Sequence, residues 1–191
     1  MRIIAGTAKG RTLRNFAGDT IRPTSDRIRE AVFSILFSRL GGWHNKRILD
    51  LCAGTGAMAI EALSRGAASA VLIDKAATAE KLVRQNLADC QLESRARFVR
   101  GSLPKALGQL ETDQVFDVVF IDPPYHQGLA DQILAALAEM NPLHEESLVC
   151  VESGLKEALN SAYGKLALVL ERNYGSTRIS IFSPTESLQA L

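Results

Sequence analysis

Two short segments hold residues that could do chemistry together. The first is Asp122-Pro123-Pro124-Tyr125, directly after the apolar run 115–121. Two prolines stop a β ladder and fix φ twice. The Asp122 carboxylate and the Pro123 carbonyl then stand as paired acceptors on a rigid turn, with the flat face of Tyr125 after them. That set suits one problem, methylation of an exocyclic amino group on a planar base. Such a nitrogen is a poor nucleophile because its lone pair is delocalised into the ring. Two acceptors on its N–H groups tilt it toward tetrahedral geometry and aim the lone pair at the methyl. The product ammonium is acidic, so its proton leaves to Asp122 or water. Tyr125 can stack on a base taken out of its duplex or loop. The plainer reading is a strand-ending Pro-Pro beside an ordinary Asp.

The second segment is Ala53-Gly54-Thr55-Gly56, between the apolar run 47–52 and a helical stretch. Glycines there let the backbone turn sharply and approach a ligand. The helix N-terminus behind them presents free N–H groups. Asp74 ends the next apolar run about 20 residues on, the spacing of an acid that accepts hydrogen bonds from ribose hydroxyls. A nucleoside cofactor follows; a tight turn with no ligand is the alternative. The pattern Gly54-x-Gly56-x-x-Ala59 suits a dinucleotide or S-adenosylmethionine. The Asp122 turn decides between them, because hydride transfer has no need of it.

These residues must be positioned by a sheet. Apolar runs at 47–52, 70–74, 96–99, 115–122, 147–152, 165–171 and 177–182 alternate, in the first part, with helical stretches at 57–66, 76–90, 103–110 and 128–140. That predicts βαβ units and a mainly parallel sheet. The last two runs are joined by Asn173-Tyr174-Gly175-Ser176, which predicts an antiparallel hairpin at the sheet edge. Residues 1–16 read as a short hairpin around Gly6 and Gly10. Pro23 bars a helix before it, Thr24, Ser25 and Asp26 offer caps, and a helix follows over 26–40, with Ile28, Ala31, Val32, Ile35 and Leu36 on one face. The division expected is an arm over 1–21 and an α/β domain over 22–191.

Composition excludes several classes. The chain has 191 residues, with 47% hydrophobic and 23% charged, values of an ordinary globular domain. No apolar run reaches the roughly 18 residues of a membrane helix, and Arg11 and Arg14 interrupt any signal peptide. Cys52, Cys90 and Cys150 are too few and too far apart for a disulfide framework, so a reduced, cytoplasmic chain is expected. The net charge of +1 conceals a contrast. Residues 1–29 carry Arg2, Lys9, Arg11, Arg14, Arg22, Arg27 and Arg29 against Asp19 and Asp26, a net +5, and the remainder is −4. A basic arm on an acidic body fits a polyanion; a solvated hairpin fits as well.

With these residues in view, the chain resembles the class I methyltransferases with an Asp-Pro-Pro-Tyr motif. More closely, it resembles the bacterial small-subunit ribosomal RNA guanine-N2 methyltransferases, the RsmD family. The resemblance rests on Arg2 to Gly6 with Gly10-Arg11, on Arg22-Pro23-Thr24-Ser25-Asp26-Arg27-Ile28-Arg29-Glu30, on the glycine loop running into Glu61-Ala62-Leu63-Ser64-Arg65-Gly66-Ala67, on Asp122 to Tyr125 and on Tyr174-Gly175. It implies a Rossmann-like domain that transfers a methyl group from S-adenosylmethionine to a guanine in 16S ribosomal RNA. Cofactor contacts are implied at Asp50, Ala53, Gly54, Thr55, Gly56, Asp74, Lys75, Ser102, Leu103 and Asp122. Catalysis is implied at Asp122, Pro123, Pro124 and Tyr125. RNA contacts are implied at Arg2, Lys9, Arg11, Arg14, Arg22, Thr24 and Arg27. The implied partner is ribosomal RNA or an assembling small subunit, and nothing demands more than a monomer. Three positions depart from the family: Cys52 replaces an aromatic residue, Ala59 a glycine, and Ser102 an Asp on the adenine amino group, where serine accepts more weakly.

Other candidates carry less. His126 reads as an exposed loop residue, since amine methylation does not need it as a base. His44 and His144 lack partners at metal spacing, so no metal is expected. Cys52 reads as a small buried filler, and Met58 and Ala62 as core. Glu152 and Ser153 end the fifth strand at the site rim; a plain strand-end acid is an equal reading. A DNA adenine-N6 methyltransferase shares the Asp-Pro-Pro-Tyr turn but usually carries an added domain for groove reading. A non-catalytic RNA-binding assembly factor would not need amine-orienting acceptors.

Overall fold

The computed structural model describes residues 1–16, 23–111, 113–124, 128–140 and 142–185, with the side chains of 23–25 outside the description. Tyr125, His126 and Arg22, and the Thr24 side chain, therefore lie outside the described residues.

The elements run α1 (Pro23–Leu40), β1 (Arg47–Leu51), α2 (Ala57–Ser64), β2 (Ser69–Asp74), α3 (Ala77–Cys90), β3 (Ala96–Arg100), β4 (Phe116–Ile121), α4 (Leu129–Met140), β5 (Leu143–Gly154), β6 (Ala162–Tyr163), β7 (Leu166–Tyr174) and β8 (Thr177–Pro184). One sheet holds the strands in the order β3-β2-β1-β4-β5-β8-β7-β6. Strands β1 to β5 pair in parallel, and β8, β7 and β6 continue the sheet antiparallel. The expected hairpin is β7–β8, with the two-residue β6 as an edge beyond it. Strand order reverses between β1 and β4, so the strand C-termini open a crevice there, the place where such sheets bind ligands.

Each face of the sheet has its own core. Ile48, Val118 and Phe120 pack with α1, α2 and α3 residues such as Phe33, Ile60 and Val83. Leu49, Leu51, Val119 and Ile121 pack with Ile133, Leu134 and Leu137 of α4. The period-2 alternation along β1 explains both sets.

Some boundaries differ from expectation. Helix α1 starts at Pro23, not near residue 26. Proline has no N–H to lose at a first helical position, so Thr24, Ser25 and Asp26 belong to the first turn. The stretch 103–110 forms only a 3-10 turn over Lys105–Gln109. Strand β5 begins at Leu143, four residues before the expected 147, with a bulge against Phe116 and Val118.

The N-terminal segment folds back on itself. Ile3 N–H donates to the Arg11 carbonyl at 3.0 Å, and Leu13 N–H to the Met1 carbonyl at 3.0 Å. Ile3, Ala8 and Leu13 are buried in the same cluster as α1 and α2. The segment is fastened to α2 by Glu61, which is fully buried and accepts from the N–H groups of Ile4 at 2.7 Å and Ala5 at 3.0 Å. Ser64 adds further contacts. Its hydroxyl donates to the Ala5 carbonyl and accepts from Ala8 N–H, and its carbonyl accepts from Thr7 N–H. Gly6 has φ +86°, and a Cβ there would lie 1.8 Å from the Ser64 carbonyl oxygen. Among the described residues, no helix is long and apolar enough to cross a membrane.

Candidate active site

The crevice at the strand reversal is a cleft of about 930 Å³. Each wall comes from a different element. The glycine loop closes its floor, Asp74 ends β2 with Lys75 after it, Gly101, Ser102 and Leu103 follow β3, and Asp122, Pro123 and Pro124 follow β4. Strand β5 contributes Glu152 and α4 contributes Leu129 and Gln132.

The loop has a built-in shape. Cys52 leaves β1 with φ +63°, and Gly56 caps α2 with φ +77°. A Cβ at Gly56 would meet Leu72 Cδ2 at 3.1 Å and Val83 Cγ2 at 3.2 Å, so strand and helix pack directly on that glycine. Gly54 N–H donates to Asp74 Oδ2 at 3.0 Å, and Ala76 N–H donates to Asp74 Oδ1 at 2.9 Å. Asp74 thus holds the loop after β1 and the turn into α3. Each oxygen keeps a further lone pair for a ribose hydroxyl.

Beneath the loop, Asp50 is buried and its Oδ2 accepts from Ala59 N–H at 3.0 Å. Burial pushes its carboxyl up to about 7, opposed by the Ala59 N–H and reinforced by the charge of Asp74. Buried Asn86 fixes the loop from behind: its Nδ2 donates to the Thr55 carbonyl at 2.9 Å, and its Oδ1 accepts from Arg14 N–H at 2.7 Å. The chain between Arg14 and the loop is thereby one unit, and Phe16 and Met1 of the N-terminal segment line the cleft.

At the other side, Asp122 follows β4, and its N–H donates to the Leu51 carbonyl at 3.4 Å. Asp122 and Pro124 are exposed at the cleft, and Pro123 is buried. The turn therefore opens toward the loop across the β1–β4 junction.

The expected cofactor residues are brought together: Asp50, Ala53, Gly54, Thr55, Asp74, Lys75, Ser102, Leu103 and Asp122 all line this one cleft, with Gly56 shaping its floor. Two expectations are only half of the picture. Cys52 is partly buried and packs against the core of the α4 face, and Met58 against the core of the other face, but both also line the cleft. Burial, with the charges of Asp74 and Asp122, pushes the Cys52 thiol up to about 12. Ala62 is core as expected.

The basic residues divide. Arg2, Lys9, Arg11, Arg14 and Arg27 are exposed. Arg14 pairs with Asp89 at 2.8 Å, and Arg11 Nη1 donates to the Asp89 carbonyl, so both are gathered at the end of α3. Arg29, counted with them by charge, is buried and lines the cleft. Met1, Phe16, Ile28, Arg29, Val32, Leu129 and Gln132 were not singled out as site residues from sequence. The one available signal was the α1 segment Arg27-Ile28-Arg29, which carries part of the family resemblance. Among the described residues, no group of three or more His, Cys, Asp or Glu could hold a metal ion.

Residues 1–183 match the profile of the family described as Conserved hypothetical protein 95. The ribosomal RNA small subunit methyltransferase D of Escherichia coli K12 is 32% identical over 182 residues, covering 95% of this chain and 89% of that protein. Its namesake from Haemophilus influenzae is 36% identical over 154 residues, 80% of this chain and 78% of that protein. A solved Escherichia coli structure, provisionally described as a methyltransferase, superposes with a TM-score of 0.80 at 30% identity, covering 98% of this chain and 99% of that one.

Proposed function

The chain belongs to the Conserved hypothetical protein 95 family, that of the RsmD methyltransferases, and on that premise we propose that it methylates the exocyclic N2 amine of a guanine in small-subunit ribosomal RNA, with S-adenosylmethionine as methyl donor. The observation that carries the reading is the Asp122–Pro124 turn and the glycine loop lining one cleft. The residues fit the donor chemically. Asp74 offers acceptors for a ribose diol, Ser102 and Leu103 flank space for an adenine, and 930 Å³ is ample for a nucleoside with an amino-acid tail.

S-adenosylmethionine supplies, when bound, an electrophilic methyl group on a sulfonium. The protein does the rest. Asp122 and the Pro123 carbonyl accept the two N–H groups of the target amine, which pyramidalises the nitrogen and turns its lone pair into the cleft. Asp122, exposed at the cleft, takes the proton that the nitrogen sheds. Tyr125 stacks on the extruded base. The exposed Arg2, Lys9, Arg11, Arg14 and Arg27, with Arg22 and Thr24, meet the RNA backbone.

The test supplies tritiated-methyl S-adenosylmethionine to the protein with ribosomal RNA, with small ribosomal subunits lacking the modification, and with duplex DNA. Nuclease digestion and nucleoside chromatography follow. Label in N2-methylguanosine is expected, and the better RNA acceptor reveals the stage of assembly. Label in N6-methyladenine of DNA would instead make it a DNA enzyme. No label with the donor still bound would favour a binding-only factor. Asp122→Ala should lower kcat by at least about 100-fold while donor affinity stays within about twofold. Surviving turnover would remove Asp122 from catalysis.

A further inference from the structure

Arg29 is a buried cation whose Nε and Nη1 meet no hydrogen-bond acceptor among the described residues. It lies on α1 with 4% of its surface exposed, and it lines the cleft. Its Nη2 donates to the Arg2 carbonyl and to Asp26 Oδ1 at 3.1 Å, but Asp26 is 45% exposed. Nε is enclosed and has no hydrogen-bond partner, and Nη1 donates to no described residue. The buried carboxylate at hand is Glu61, whose Oε2 stands 3.9 Å from Nε. That is beyond hydrogen-bond length. Glu61 is already committed to the N–H groups of Ile4 and Ala5 and to Arg65 Nε at 2.7 Å. A guanidinium at this depth is costly unless an anion meets it.

We propose that Arg29 binds the carboxylate of the amino-acid part of S-adenosylmethionine. The assignment rests on the methyl-donor reading above. That carboxylate is the donor's one anionic group, and a planar guanidinium fork matches its geometry. Position agrees. Ile28 and Val32, on the same helix as Arg29, line the cleft together with Ala53 and Ala57 on either side of the glycine loop. The other cationic side chain lining the cleft among the described residues is Lys75, which follows the ribose-side acid Asp74 and so stands at the nucleoside end.

Calorimetry with two ligands tests this. One is S-adenosylhomocysteine; the other is its decarboxylated analogue, which keeps the adenosine, the sulfur and the ammonium. The wild type should prefer the carboxylated ligand. Arg29→Gln should weaken that ligand by at least about tenfold and the analogue by less than about twofold, so the preference collapses. Arg29→Lys keeps a charge beside Glu61 and Asp26, which preserves the fold should the glutamine variant not survive. It loses the fork, and its preference should fall several-fold. Lys75→Met should leave the preference intact. Equal weakening of both ligands would mean a merely structural Arg29 and would overturn the assignment. Collapse of the preference in Lys75→Met would overturn it in favour of Lys75. If neither ligand binds the wild type, the donor reading itself fails.

Discussion

The Gly54 N–H donates to the Asp74 carboxylate at 3.0 Å, so the acid that ends β2 holds the loop that ends β1. Its other oxygen takes Ala76 N–H at 2.9 Å. An amide at this position can accept only one of the two bonds and must turn an NH₂ toward the other N–H. Asp74→Asn should therefore weaken S-adenosylhomocysteine binding by about tenfold or more. Titration calorimetry checks this, and unchanged affinity would show that the loop holds its shape without the acid.

The N-terminal segment should be intolerant at one small residue. At Gly6 an added Cβ would overlap the Ser64 carbonyl oxygen at 1.8 Å, in a backbone region with φ +86°. Gly6→Ala should cost about 3 kcal/mol or more, read from chemical unfolding. Wild-type stability in that variant would mean that the segment does not dock on α2 in solution.

Asp50 makes the stability of the protein depend on pH. Its carboxyl sits at about 7 in the fold, against about 3.9 in an unfolded chain. The native state therefore binds this proton more tightly than the unfolded state. The resulting stabilisation is complete below about pH 4 and is lost as pH rises through about 7. Asp50→Asn keeps an acceptor for Ala59 N–H without titrating. The wild type should lose stability relative to it between about pH 4 and about pH 7 in urea unfolding, and the difference should level off above that. A difference that does not change with pH would contradict the buried, protonated carboxyl.

Arg11 and Arg14 meet at Asp89 on the surface, where ion pairs contribute little to folding. Replacing both with alanine should leave the melting temperature nearly unchanged. RNA affinity should fall, and the slope of log affinity against log salt should shrink by about 2. An unaltered slope would take both residues out of the RNA interface.

Local sequence determined most of the machinery. Strand–helix alternation specified the parallel sheet because a period of 2 and a period of 3.6 bury different faces. Two glycines and two prolines set the turns around Gly54 and Asp122, since backbone freedom and fixed φ are properties of single residues. What only the tertiary structure decided is which distant groups meet. Nothing in the spacing of Arg29 and Arg11 distinguishes them, yet packing against Glu61 and the cleft buries one while the other stays in solvent. Nor could local pattern show that Asn86 ties Arg14 to Thr55, or that Met1 and Phe16 wall the cleft. Those contacts depend on how the first 16 residues dock on the sheet's helices, and docking is settled by the summed burial of Ile3, Ala8 and Leu13 with the charge on Glu61.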